Sequence, residues 1–189
     1  LLQILWNQLR LFPIEFFIGK CDIFHTSDWT QPPTLKAKTI ATIHDLTPFL
    51  YPQWHHPKVI KAHKNKMNWA SKKCFHFICV SKNTQNDLLK LFPRIKIDQT
   101  SVIYEAAENK YGQFLTLSHE DQLKKKDIIK KQYGLNNFVL AQGTREPRKN
   151  LDRLVQAFIN FKNKYPKSTA ELAITGKYGW GKDITQHPS

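Results

Sequence analysis

The sequence predicts an α/β fold built on parallel sheets. Short apolar runs, several rich in β-branched residues, recur at residues 22–25, 39–43, 75–80, 100–104, 138–141 and 172–174. Most are near-continuous rather than alternating, as expected of strands buried on both faces. Helical patterns separate most of them, and strands that alternate with helices build parallel sheets. Four of the runs precede residue 110 and two follow residue 135.

Each helix has its own local reason. Residues 57–73 place Val59, Ile60, His63, Met67 and Ala70 on one side, with Pro57 suited to the first turn. Residues 81–92 carry Leu88, Leu89 and Phe92, and Pro93 stops them. Residues 118–133 have Ser118 as N-cap, Glu120 and Asp121 in the first turn, lysines later and Gly134 at the end. Residues 150–165 show the clearest stripe: Leu151, Leu154, Val155, Phe158 and Ile159. Asn150 is placed to cap that helix, Asp152 suits its positive end, Lys162 and Lys164 suit its negative end, and Pro166 ends it.

Composition narrows the class. The chain has 189 residues, with 29 Lys and Arg against 15 Asp and Glu, a net charge of +14. Apolar residues at 41 % and aromatics at 12 % describe a globular protein and exclude disorder as the main reading. No run approaches the roughly 20 apolar residues that cross a bilayer. Cys21, Cys74 and Cys79 are odd in number and irregular in spacing, so they are no disulfide framework and point to a reducing, cytoplasmic setting, and Cys74 and Cys79, at one apolar run, read as small buried hydrophobes. The chain starts at Leu1 and stops at Ser189 in a polar turn, which is expected of a fragment. Residues 1–109 read as one domain, 110–134 as a connection with a helix, and 135–189 as the start of a second domain. One strand–helix–strand unit is too small to close its own core.

In open α/β sheets, ligands bind beyond the carboxyl ends of the strands. The residues following each run are His44 and Asp45, Ser81, Glu105, then the stretch from Gln142 to Asn150, then Thr175 and Gly176. The stretch after the fifth run is the richest. Gly143 permits a tight turn, Thr144 follows, and Arg145, Arg148 and Lys149 precede a helix. Cations beside a helix N-terminus suit a phosphate or diphosphate. The competing reading is a solvated basic turn in which Glu146 pairs with one Arg. The spacing of a P-loop is absent. His44 reads equally as a substrate contact or as a ring satisfied by backbone. Residues 175–181 are Gly-rich and aromatic, and a plain turn is the simpler account. His55, His56 and His63 lack the partners of a zinc site, so no metal is expected. Lys61, Lys64, Lys66, Lys72 and Lys73, with Lys124, Lys125 and Lys126, read as solvated helix faces able to attract anionic lipid. No nucleic-acid motif accompanies them, and nucleic acid is the minority reading.

The ordered set is specific where each motif alone is modest. It runs from Thr42-Ile-His-Asp45 with Pro48, through Val80-Ser81 opening a helix, to Val102-Ile-Tyr104. It continues with Gly143-Thr-Arg-Glu-Pro-Arg-Lys-Asn-Leu151 and Ala173-Ile-Thr-Gly176, and ends with Gly179-Trp-Gly181. This set resembles the family four, or group one, retaining glycosyltransferases, above all their mannosyltransferase-like branch. The resemblance implies a GT-B fold, two Rossmann-like domains with parallel sheets facing each other across a cleft, both incomplete here. It implies transfer of a hexose, mannose foremost, from a nucleotide-diphosphate sugar to a glycan or lipid-linked acceptor with retention. No cofactor or metal is implied, and the setting is cytoplasmic, with peripheral contact at the inner face of a membrane. Lys149 matches the donor-diphosphate Lys, with Arg148 or Arg145 as its companion. His44 matches the His near the transferred sugar, Ser81 the Ser opening the helix, and Gly176 the second-domain glycine. Glu105, Ala106 and Ala107 stand where the family often has an Asn-Gly-x-Asp turn. The family's paired glutamates, spaced by seven residues, and its first strand are absent from residues 1–189, so this fragment alone is expected to be inactive. The alternatives are another nucleotide-binding α/β protein, such as an epimerase, or a basic non-enzymatic module binding nucleic acid or acidic membrane.

Overall fold

The structure, a computed structural model, describes residues 11–26 and 31–180. Contacts divide the chain into two compact units, one ending at Ala106 and one beginning at Ala107.

The first unit holds a four-stranded sheet, β1 (Ile23–Thr26), β2 (Lys38–Ile43), β3 (His76–Cys79) and β4 (Thr100–Val102), in that spatial order and parallel throughout. Helix α1 (Pro57–Lys73) links β2 to β3, and α2 (Lys82–Leu91) links β3 to β4. Both long helices form where the apolar spacing places them. His56 caps α1 through Nδ1, which accepts from Lys58 N at 3.2 Å. Ser81 caps α2 through its hydroxyl, which accepts from Thr84 N at 3.0 Å.

The core lies on one face of this sheet. Ala41, Ile43, Phe77 and Cys79 meet Met67 and Ala70 of α1, Leu88 of α2, and Leu46, Cys74 and Ile95. The opposite face, with Ile40, Thr42, His76 and Ile78, is only half-buried. This corrects the expectation of equal burial on both faces, because α1 and α2 pack on the same side. Cys74 and Cys79 are buried free thiols, as small apolar residues would be. Lys66 is also corrected. It is 3 % exposed rather than solvated. It lies one turn before Ala70, on the inward face of α1.

The second unit holds α3 (His119–Tyr133), β5 (Asn137–Gln142), α4 (Leu151–Lys164) and β6 (Ala170–Thr175). β5 and β6 pair in parallel across six residues, from Asn137 opposite Ala170 to Gln142 opposite Thr175. Ser118 caps α3 by accepting from Asp121 N at 3.1 Å. Gly134 ends α3 in the left-handed conformation, and Leu135 N reaches back to Lys130 O at 3.1 Å. The half-buried residues of α4 include all five of the predicted stripe. No described residue from 107 to 180 is buried, and Val139 and Leu140 of β5 are about half exposed. The helices of this unit leave neither face of its two-stranded sheet buried, so here too the expectation of strands buried on both sides fails.

Candidate functional site

The predicted residues group into two sets, one on each unit. In the first unit, His44 follows β2, Ser81 follows β3 and Glu105 follows β4. They stand at the carboxyl ends of three successive parallel strands. His44 Nδ1 lies 2.9 Å from Glu105 Oε1, with the side chains 47 % and 66 % exposed. Thr84 Oγ1 donates to the backbone carbonyl of His44 at 3.2 Å and lies 2.9 Å from Ser81 Oγ. The N-terminal turn of α2 therefore latches onto the strand end that carries His44. Ser81 serves this latch through its cap.

Asp45 shapes the next loop. Its Oδ1 accepts from Thr47 N at 3.0 Å and from Thr47 Oγ1 at 2.6 Å. This is an Asx-type turn into the short helix Thr47–Leu50. The Thr47 hydroxyl spends its proton on Asp45, so its oxygen accepts from His55 Nε2 at 2.9 Å. His55 and His56 thus each have a local hydrogen-bonding use. Among the described residues, no cluster of three or more His, Cys, Asp or Glu is placed to hold a metal.

In the second unit, Gly143 and Thr144 leave β5, and Arg145, Arg148 and Lys149 follow before α4. The ladder of β5 and β6 continues into this loop. Gly143 N donates to Thr175 O at 3.0 Å, Arg145 N to Lys177 O at 2.9 Å, and Gly179 N to Arg145 O at 3.1 Å. A Cβ on Gly176, whose φ is +142°, would lie 1.8 Å from Gly143 O. One on Gly179 would lie 2.7 Å from Arg145 O. The two loops touch backbone to backbone, so residues 175–180 are a docked continuation of the sheet rather than a plain turn. Gly181 lies outside the described residues.

The three cations are not equivalent. Arg148 donates to Glu146 Oε1 at 2.7 Å, with both side chains largely covered. The pairing of Glu146 with one Arg, expected for an ordinary basic turn, therefore exists and involves Arg148. Arg145 lays its guanidinium 4.9 Å from the centre of the Tyr178 ring. Lys149 runs its side chain past Gly143, close enough that a Cβ there would touch Lys149 Cε at 3.5 Å. Its aliphatic chain thus packs along the turn at the end of β5. Asn150 does not cap α4. It sits at φ +53° after the 3-10 turn Pro147–Lys149, and its side chain makes no cap bond. The first N–H groups of α4 are left without that acceptor, beside Lys149.

Sequence reading missed Thr84, Thr47 and Tyr178. The first two were findable as Ser/Thr near a helix start and near an Asp. Tyr178 was not, because it meets Arg145 only through the parallel register of two strands.

Parallel α/β units with polar groups along the carboxyl rim, and a basic turn entering a helix, define a Rossmann-like protein. The chain belongs to Glycosyltransferase Family 4, whose profile matches residues 2–107. It is similar to the O-antigen chain mannosyltransferase RfbU of Salmonella typhimurium, at 28 % identity over 183 residues, 96 % of this chain and 43 % of that protein. It is also similar to O-antigen chain mannosyltransferase B of Escherichia coli, at 23 % identity over 169 residues, 86 % of this chain and 40 % of that protein. The chain thus spans about two-fifths of the length of these curated relatives.

Proposed function

We propose that the protein acts in transfer of a hexose, mannose foremost, from a nucleoside-diphosphate sugar to a glycan or lipid-linked acceptor. Family membership and the two mannosyltransferase relatives support the reaction class. The observation that carries the site is the turn from Gly143 to Lys149, where the Lys149 side chain runs past Gly143 just before a helix whose Asn150 makes no side-chain cap bond.

Cleavage of the sugar–phosphate bond leaves negative charge on the departing diphosphate. Fixed positive groups aimed at that charge lower the barrier most. Lys149 and Arg145 supply two such groups, and the α4 N–H groups add a dipole. In this reading the charge is balanced by side chains, with no metal in the step. Arg148 holds the turn through Glu146 rather than reaching the donor. His44 contacts the sugar, and transfer proceeds with retention. The charge of +14 and the exposed Phe16, Phe17 and Ile18 beside Lys20 favour peripheral contact with an anionic membrane. Among the described residues, no helix is long and apolar enough to cross one.

The test is transfer of labelled mannose from GDP-mannose to a lipid extract carrying undecaprenyl-linked acceptors. Calorimetry of the same donor runs beside it. Binding that vanishes in Lys149→Ala is the expected result. Equal binding by wild type and Lys149→Ala would remove the turn from the reading.

A further inference from the structure

The loop that leaves β2 carries two aromatic rings packed on each other. Tyr51 and Trp54 stack with their ring centres 4.2 Å apart and their planes 16° from parallel. They remain 42 % and 37 % exposed. The loop is built to hold them there. Tyr51 N donates to Thr47 O at 2.8 Å, Trp54 N to Tyr51 O at 3.0 Å, and His55 N to Pro52 O at 3.0 Å. Pro48 is buried in the short helix Thr47–Leu50, and Pro52 fixes the start of the 3-10 turn Pro52–Trp54. His55, next to Trp54, meets the Thr47 hydroxyl at 2.9 Å, and that hydroxyl meets Asp45 at 2.6 Å. Hydrogen bonds thus tie the stacked rings back to the residue beside His44, at the carboxyl end of β2, the rim on which α/β sheets bind ligands.

Charge separates this pair from the other exposed rings. Lys38 lies over Phe75, Lys110 over Tyr111 and Lys164 over Tyr165, at 4.6, 5.1 and 5.5 Å from the ring centres. Residues 45–57 contain no Lys or Arg, in a chain of net charge +14. Phosphates and anionic lipid call for cations, so this loop suits a neutral ligand. Gln53, exposed between the two aromatics in sequence, adds an amide donor and acceptor. A pyranose ring fits both chemistries. Its axial C–H groups form an apolar face with positive hydrogens, which meets the negative face of an aromatic ring. Its hydroxyls meet amides.

We propose that Tyr51 and Trp54 form a stacking platform for a neutral pyranose ring. The saccharide binding stands on the loop itself. Its use as an acceptor subsite, which selects the glycan that receives the transferred sugar, rests on the function proposed above.

The test uses the methyl glycosides of glucose, galactose, mannose and N-acetylglucosamine as probes. Proton–nitrogen spectra of the indole groups are followed during titration, with the Trp54 signal assigned as the one missing in Trp54→Phe. Saturation-transfer difference spectra read the sugar side. At least one probe is expected to shift the Trp54 indole of the wild-type chain and to receive saturation at its axial C–H protons. Trp54→Ala and Tyr51→Ala should lose that transfer, and Trp54→Phe should keep it. Pyrophosphate binding should be unchanged in all three variants. No indole shift with any probe overturns the proposal, and so does transfer that survives in Trp54→Ala. Binding to phosphatidylglycerol vesicles that needs Trp54, with no sugar response in wild type, would assign the rings to a lipid surface instead. Sugar binding through Trp54 together with donor binding that ignores Lys149→Ala would keep the platform and remove the turn from the reaction.

Discussion

Gly176 lies directly against the backbone of Gly143: a methyl group added at position 176 would sit 1.8 Å from the Gly143 carbonyl oxygen. The loop after β6 can therefore close on the loop after β5 only with hydrogen at that position. Gly176→Ala must push the loops apart and also strains a backbone at φ +142°. We expect a loss of about 1–3 kcal/mol in the second unit. Separate loops also lose the seat of Arg145 on Tyr178. Thermal unfolding and binding of inorganic pyrophosphate should fall together. A variant as stable as wild type, with unchanged binding, would contradict the contact.

The three cations of the turn should separate under substitution. Lys149→Ala removes a charge-assisted contact, with an expected loss of about 1.5–3 kcal/mol in diphosphate binding. Arg145→Ala should cost a similar amount. Arg148→Ala should cost less, because Glu146 already neutralises that guanidinium at 2.7 Å. Calorimetry with pyrophosphate ranks the three. Arg148→Ala as the most damaging change would reverse the assignment.

Glu15 provides a pH signature. Its Oε1 accepts from the backbone N–H groups of Leu35, Lys36 and Ala37 at 2.9, 3.1 and 3.0 Å. Burial pushes the carboxyl up, but the backbone donors of Ala37, Leu35 and Lys36 outweigh it and hold it at about 2. The folded value lies below the unfolded one, so the stabilisation is complete above about pH 4.5 and fades as pH falls towards 2. Glu15→Ala should cost about 1–2 kcal/mol at neutral pH. Urea unfolding at pH 7 and at pH 2 reads this: the gap between wild type and variant should narrow at the lower pH.

Thiol reactivity should follow burial. Cys79 is fully buried, and burial pushes its thiol up to about 11. Burial also pushes up Cys74. Cys21 is only half-buried. With a chromogenic disulfide reagent at neutral pH, one thiol should react quickly, and two should wait for unfolding of the first unit. Rapid reaction at Cys79 would contradict its place in the core.

Much of the fold was legible because its causes are local. Among the described residues, apolar runs marked all six strands, and the α4 stripe marked its half-buried face. Ser81 and Ser118 announced helix starts because a cap needs only the next few residues. Asn150 misled for a related reason: the turn at Pro147–Lys149 leaves it at φ +53°, where its side chain makes no cap bond. Pairings set by sheet register were illegible. Nothing near Arg145 points to Tyr178, and nothing near His44 points to Glu105. Both contacts exist only once parallel strands have been aligned.

The second unit buries no described residue, yet it carries the basic turn. Its local opening free energy should be small, and its amides should exchange with solvent sooner than those of the first unit. Ligand occupancy then becomes part of its folding equilibrium. An anion bound only by the closed form adds RT ln(1 + [L]/Kd) to its stability, about 2.7 kcal/mol at a hundredfold excess over Kd. The donor in this half of the molecule would act as a cofolding partner as well as a reactant, and deuterium uptake across residues 137–175 would serve as a binding gauge.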